Sequence, residues 1–541
     1  MKRTNLLLVI ILVIALALRI VNIENNPPAM YGDELTMVLD VNSILYTGYD
    51  STGEFLPLNF SMGGGRPVGY GYFSLPFVAV FGTTALAIRM LSILSGVGLV
   101  LLMYFLGEIL FSKKVGLVAA GVLAVSPWDI SLSRGGFEAH FALFLSVAGL
   151  VLFLKAKQNP KFYVLSAVMF GLAVHTYSTF KLLLPLFAPL LIWFGGVKNI
   201  TLVNRRFIMT SALVLMITFG LVAYKGLFTG SETRFNNLNI FSQQDLKQQI
   251  VQKIDFDRNT AVLPIGIAKL FHNRPIEYTE KLVESYFKNF SMDFLFLTGD
   301  REPRHNMATH GQLYMVEIFT IFFGLGFLWK HNKKILGFLI GWLLIAPTAA
   351  TLLLEQHALR DNFMLPPLIL LSSLGLISIW NIQGRFSKIK FLVILAFIIQ
   401  FLFFAERLYF LSGNQLNRFW SYPTKQAVEL AIKSKNDFNY VILSSRIDNA
   451  EFAYPVYARI NPQAIQHSYK IPLGEYLFKK YDENVYIGDI AQEKIVEFVN
   501  SLKGSVIYIG SVDEAKNFGT SFDTFYNTDL QPSFVVLKRL K

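Results

Sequence analysis

The chain of 541 residues is 53% hydrophobic and only 16% charged, with 49 Phe and a mean hydropathy of +0.45, too apolar for an ordinary soluble domain. Its formal net charge of +12 raises nucleic-acid binding as a reading, and the placement of the charges decides that question. The absence of cysteine excludes disulfides, thiolate metal ligands and a cysteine nucleophile.

In chain order, Lys2 and Arg3 precede the apolar run Leu6 to Leu18, and Arg19 to Pro28 offer no small-x-small cleavage site. The run therefore reads as a retained first span rather than a signal peptide. Later apolar stretches centre on 91–111, 115–125, 139–153, 164–177, 182–194, 207–227, 313–329, 335–353, 363–380 and 391–404. Measured against the ~20 residues that cross a bilayer, this makes about eleven spans. The apolar stretch Phe73 to Arg89 directly precedes another span; a crossing there would reverse every later loop, so it reads as an interfacial or re-entrant helix.

The loops fall into two alternating sets. One holds Lys2 and Arg3; Lys113 and Lys114; Lys155, Lys157 and Lys161; Lys198, Arg205 and Arg206; Lys330, Lys333 and Lys334; Arg385, Lys388 and Lys390, which is 16 basic residues without an Asp or Glu. That is the positive-inside pattern and puts the N-terminus in the cytoplasm. The remaining 33 basic and 37 acidic residues are close to balance, so the high pI reports topology and nucleic acid drops out as a partner.

With that parity, residues 22–72, 126–138, 228–312, 355–362 and everything after Ser412 lie on the outer face. The tail alternates apolar runs (Tyr440–Leu443, Asn484–Ile487, Ser505–Ile509, Ser533–Leu537) with amphipathic stretches (Thr424–Ser434, Gln492–Leu502), the pattern of a small α/β domain. It contains no Gly-x-Gly-x-x-Gly or phosphate-loop motif, so nucleotide-sugar chemistry has no visible support. The expected fold is a polytopic α-helical membrane protein of the cell membrane. Residues 1–411 form its membrane domain, with large outer loops at 22–72 and 228–312, and residues 412–541 an extracytoplasmic α/β domain.

The first outer loop carries Tyr31-Gly32-Asp33-Glu34, then Thr47-Gly48-Tyr49-Asp50-Ser51-Thr52-Gly53 and Leu56-Pro57-Leu58. It resembles the multi-span GT-C glycosyltransferases that use polyprenyl-phosphate sugars, among them the protein O-mannosyltransferases and the lipid A aminoarabinose transferases. Ser126-Pro127-Trp128 with Ser133-Arg134, Gly171-Leu172 to Tyr177-Ser178, Gly299-Asp300 with Arg304-His305, and Gly311-Gln312-Leu313-Tyr314 continue the resemblance in order over residues 1 to about 410. The resemblance implies transfer of a hexose or pentose, with inversion, from a polyprenyl-phosphate donor to a lipid, glycan or protein hydroxyl. A carboxylate acts as general base and cations hold the phosphate leaving group.

By that resemblance Asp33 is the expected base, and Glu34, about 100° round a helix, orients the acceptor or joins Asp33 in holding a divalent metal ion. Asp40 and Asp50 read as a solvated face and a turn. Arg134, Arg304 with His305, and His357 with Arg360 are the expected donor-phosphate contacts, since the guanidinium fork matches phosphate; Arg301 lies beside them. Lys181 reads as a snorkelling anchor. The histidines His175, His305, His310 and His357 have no zinc-motif spacing and fall in separate loops, which argues against a histidine-ligated zinc. Tyr31, Tyr70 and Tyr72 read as interface anchors. Two rivals remain: a translocase of lipid-linked saccharides, which predicts ionisable residues along the spans, where few are seen, and a binding protein whose tail does the work.

Overall fold

The computed structural model describes residues 2–61, 65–195, 202–228, 240–515 and 522–540; Lys198 and residues 229–239 of the large outer loop lie outside them. Every expected apolar stretch is helical: Lys2–Ile20, Ala85–Leu110, Lys113–Ala124, Glu138–Lys155, Lys161–Val174, Thr179–Gly195, Leu202–Phe228, Val316–His331, Lys333–Ile345, Leu365–Trp380 and Ile389–Glu406. Only a helix satisfies its own backbone groups where no water is present. Six helical segments among the described residues are long and apolar enough to cross a membrane, or seven if Lys113–Ala124 and Pro127–Ser133, bent by 59°, make one span. The chain is a multi-pass membrane protein; length and composition support six or seven of the eleven expected spans among the described residues. Pro127 opens the second piece of the bent pair, and Pro185 and Pro189 interrupt Thr179–Gly195.

Gly69–Phe81 is a separate helix of 13 residues that ends at Gly82, φ +66°. At 1.5 Å per residue it spans about 20 Å, short of the ~30 Å hydrocarbon core. Helices Val316–His331 and Leu365–Trp380 pack closely through glycine: a side chain at Gly324 or Gly375 would overlap the facing backbone of Leu371 or Thr320. Thr320 and Ser372 share a hydroxyl hydrogen bond of 2.8 Å between the two helices, a polar contact suited to a lipid setting.

The tail builds a seven-stranded mixed sheet in the order Lys470–Leu473, Tyr476–Lys480, Val485–Gly488, Tyr440–Ser444, Val506–Gly510, Pro532–Arg539, Asp523–Tyr526. Tyr440–Ser444 pairs in parallel with both neighbours; the other pairings are antiparallel. The four runs expected from sequence are strands. The three that were not expected lie toward the two edges, where polar and exposed residues blur the alternation.

The tail sits on the first long hydrophilic loop, residues 22–72. Gln466 donates to the Thr47 hydroxyl and the Asp50 carbonyl, each at 2.9 Å, Thr83 donates to the Val456 carbonyl at 3.0 Å, and the Arg89 guanidinium lies 5.1 Å from the Trp420 ring centre. The loop is thus held between the membrane helices and the sheet domain.

Candidate active site

Helix Gly32–Thr47 begins with an acid pair, where carboxylates favour the N-terminal dipole, and its first turn sends the two acids to different places. Asp33 is 48% exposed and faces a cleft of about 310 Å³ lined also by Thr36, Arg304 and, from the tail, Phe419, Ser421, Asp448, Asn449 and Phe452. Glu34 is fully buried; it accepts from Arg89 Nε and Nη2 and from the Gly136 amide, each at 2.8 Å. The expected Asp33–Glu34 metal pair is therefore split: Glu34 spends both oxygens on a buried ion pair and does not reach the cleft.

Asp33 is fixed by Arg66, which sequence reasoning missed. Arg66 Nη2 stands 2.6 Å from Asp33 Oδ1, its Nη1 donates to the Asp33 carbonyl at 2.9 Å, and its Nε lies 3.0 Å from Glu138. Burial opposes the Arg66 charge, but Glu138 and Asp33 outweigh it and raise the guanidinium above its ordinary pKa. The signal was present in Arg66-Pro67, a lone cation after three glycines in the sequence; Arg66–Pro67 pairs with Asn59–Phe60, and the Arg66 side chain reaches Asp33 at the helix start.

Arg304 lines the same cleft. It pairs with Glu302 at 2.7 Å and lies 5.2 Å over the Tyr31 ring. Burial would lower its pKa; the bond to Glu302 and the nearby Tyr31 and Asp33 raise it, so it is a durable cation beside the exposed carboxylate. On the tail side, Asp448 accepts from the Ser421 hydroxyl at 2.9 Å. Ser421 and Asn449 both adopt left-handed backbone angles, φ 50° and 57°. Gly32 admits this wall: a Cβ there would come within 2.6 Å of the Asn449 amide.

The other expected cations lie elsewhere. Arg134 is fully buried and donates to the carbonyls of Leu18, Arg19, Val21 and Asn26 at 2.6 to 3.3 Å. It caps the end of helix Lys2–Ile20, where four carbonyls lack helical partners, and has no free fork for a phosphate. Arg360 is engaged by Glu355.

His305 and His357, expected apart, meet: their ring centres are 4.5 Å apart, and Asp300 Oδ2 is 3.1 Å from His305 Nδ1. Burial alone would raise the Asp300 carboxyl, but the His305 bond and the two imidazoles hold it below the usual range. Asp300, His305 and His357 form a cluster with metal-ligating atoms all within 4.8 Å.

Asp50 is the turn residue expected: its Oδ1 accepts from the Thr52 and Glu54 amides, each at 2.9 Å, and Gly48 and Gly53 take positive φ on either side. Asp40 corrects the solvated-face expectation. It is 1% exposed, accepts from Ser51, and burial raises its carboxyl to about 6. Tyr31 and Tyr70 are buried, with Tyr70 donating to the Ile88 carbonyl at 2.6 Å, and Tyr72 donates to the Pro57 carbonyl at 2.7 Å.

Ionisable groups inside the membrane domain are more numerous than the apolar stretches implied. Arg19 pairs with Asp129, which also meets His140 at 2.9 Å, and all three are fully buried. Glu317 is also buried and accepts from the Tyr314 amide. The first set neutralises itself across three helices.

Residues 65–224 match the sequence profile of the dolichyl-phosphate-mannose-protein mannosyltransferase family. No curated protein matches the whole sequence significantly. Among solved structures, ArnT from Cupriavidus metallidurans in the apo state superposes with a TM-score of 0.54 at 10% identity, over 98% of this chain and 97% of that one. The same protein bound to undecaprenyl phosphate gives 0.50 at 11% over the same shares. The apo oligosaccharyltransferase of Archaeoglobus fulgidus gives 0.52 at 14%, over 84% of this chain. The chain spans only 64% of that archaeal protein's length. The chain has the GT-C fold.

Proposed function

We propose that this GT-C chain is a membrane glycosyltransferase that moves a hexosyl or pentosyl group from a polyprenyl-phosphate donor to a hydroxyl of a lipid, glycan or protein on the outer membrane face. The observation that carries the reading is Asp33, an exposed carboxylate fixed by Arg66 at a cleft that Arg304 also lines. The shared fold with a protein crystallised with undecaprenyl phosphate and the mannosyltransferase profile over 65–224 support the donor class.

In the proposed reaction the acceptor oxygen attacks the anomeric carbon while Asp33 takes the hydroxyl proton. The new carbon–oxygen bond forms as the bond to the phosphate oxygen breaks, on the opposite face of the sugar, so the configuration inverts. The electron pair leaves with the polyprenyl phosphate, and Arg304 stabilises that charge; a phosphate leaving group needs no general acid. Ser421, Asp448 and Asn449 present hydroxyl, carboxylate and amide groups from the tail and hold the acceptor. Arg66 positions Asp33. Glu34 and Arg134 act on structure alone.

The test is transfer of radiolabelled sugar from a panel of polyprenyl-phosphate sugars in proteoliposomes with native lipid extract as acceptor. Asp33→Asn should lower transfer by roughly 10²–10⁴-fold with donor binding retained, the usual weight of general-base catalysis. Equal transfer by wild type and variant removes Asp33 from the chemistry.

A further inference from the structure

We propose that Asp300, His305 and His357 bind one divalent transition-metal ion of the zinc class, which fastens the loop carrying Arg304 to the loop 355–362. The ligand atoms of the three residues lie within 4.8 Å of one another. Tetrahedral ligands at about 2.0–2.2 Å from zinc stand roughly 3.3–3.6 Å apart. The 3.1 Å between Asp300 Oδ2 and His305 Nδ1 is close to that edge, and a His357 ring nitrogen lies within 4.8 Å of both.

The donor set selects the metal class. Two imidazoles and one carboxylate suit zinc and its first-row neighbours, whereas magnesium and calcium take oxygen ligands almost throughout. Three protein ligands leave one position for water or another group.

The carboxylate is oriented from outside, as metal ligands commonly are: the Glu302 amide donates to Asp300 Oδ1 at 2.9 Å and the Ala358 amide to Oδ2 at 2.7 Å. Phe137 covers His305, ring centres 5.4 Å apart, and Asp300 and His305 are 6% and 7% exposed. An ion there is largely shielded from water.

A second carboxylate–histidine group, Asp257, His272 and Glu277, also has ligating atoms within 4.8 Å. There Glu277 Oε2 already pairs with the Lys253 ammonium at 2.6 Å, which competes with an ion for that ligand, so this group serves as a control. Arg304 stands next to His305 but points the other way, over Tyr31. An ion joining the two loops would hold Arg304 against the cleft.

The ion itself is measured without donor or acceptor, so its failure is separable from failure of the transferase reading. The full chain in detergent is incubated with zinc, desalted into metal-free buffer and assayed by mass spectrometry for metal, alongside His357→Gln, Asp300→Asn and His272→Gln. The expected result is about one zinc per chain in wild type and His272→Gln, and at least a tenfold loss in the other two. Cobalt in place of zinc should give visible ligand-field absorption that His357→Gln abolishes. Wild type alone supplies a further readout: chelator should lower its thermal midpoint, as removal of a ligand bound only to the folded state must. Wild type that retains no more metal than His357→Gln and is indifferent to chelator would overturn the site, as would equal loss in His272→Gln.

Discussion

Replacing Glu34 by Gln keeps the side-chain volume but takes one charge from a pair in which both side chains are fully buried. Three donors then face a neutral amide, and the Arg89 guanidinium is left with the carbonyls of Ile23, Pro27 and Ala29. Removing one partner of a buried ion pair costs ~3–5 kcal/mol, because the other charge remains in the interior. The neighbouring substitution Asp33→Asn breaks a pair whose carboxylate is 48% exposed, which should cost ~0–1 kcal/mol. Two adjacent isosteric changes should therefore part company: Glu34→Gln lowers unfolding free energy by about 3 kcal/mol more than Asp33→Asn. Transfer per folded molecule collapses only in the latter. Equilibrium unfolding in mixed micelles, followed by tryptophan fluorescence, gives the first quantity and the proteoliposome assay the second. A Glu34→Gln protein within about 1 kcal/mol of wild type that nonetheless loses transfer would place Glu34 in the chemistry and refute the division of roles.

Arg134→Met should cost at least ~3 kcal/mol, since hydrogen bonds from a charged donor contribute ~1.5–3 kcal/mol each, and should leave the donor KM of surviving enzyme unchanged. Arg304→Gln should do the reverse, raising donor KM about tenfold or more with an unchanged unfolding midpoint; steady-state kinetics beside thermal unfolding separates the two. The Asp40 carboxyl, raised from 3.8 to about 6 by burial, holds its proton more tightly folded than unfolded, so its contribution to stability is full below pH 4 and is lost as pH rises through 6. The stability of Asp40→Asn relative to wild type should accordingly rise between pH 4 and pH 7 by as much as ~3 kcal/mol, and a pH-independent difference would contradict the assignment. Because the chain has no cysteine, Glu475→Cys, at a side chain 82% exposed in the tail, should react with impermeant maleimide on intact cells; labelling only after permeabilisation would invert the topology.

What the sequence disclosed was composition and local pattern. Apolar runs, basic loops and the acid pair after the first span are contiguous signals, and they led to the membrane helices and to the helix start that carries Asp33 at a cleft. The charges that organise the site were hidden because each is solved by a partner far along the chain. Arg66 and Arg89 make sense only beside Asp33, Glu34 and Glu138, and Arg19 only beside Asp129. Two clues were legible: Arg19 breaks the basic-inside pattern at the outer end of the first span, and Arg89 ends an otherwise apolar stretch. Arg134 misled because a cation at an outer-loop position suits phosphate and backbone carbonyls equally well. His305 and His357 were discounted on spacing, although folding brings loops 50 residues apart together.

The clamp of the first long hydrophilic loop between helices and tail also sets an order of assembly. The Met30 amide donates to the Tyr457 hydroxyl across 427 residues of sequence, and Asn26 bonds the Leu408 carbonyl across 382. At roughly 5–20 residues per second of synthesis, the loop bearing Asp33 waits on the order of 20–85 s for the segment that covers it. A chain that stops before Phe419 to Phe452 are made has its acidic loop uncovered and its cleft lacking a wall. Synthesis of the segment from Phe419 to Phe452, which walls the cleft, is therefore the event that the loop bearing Asp33 waits for.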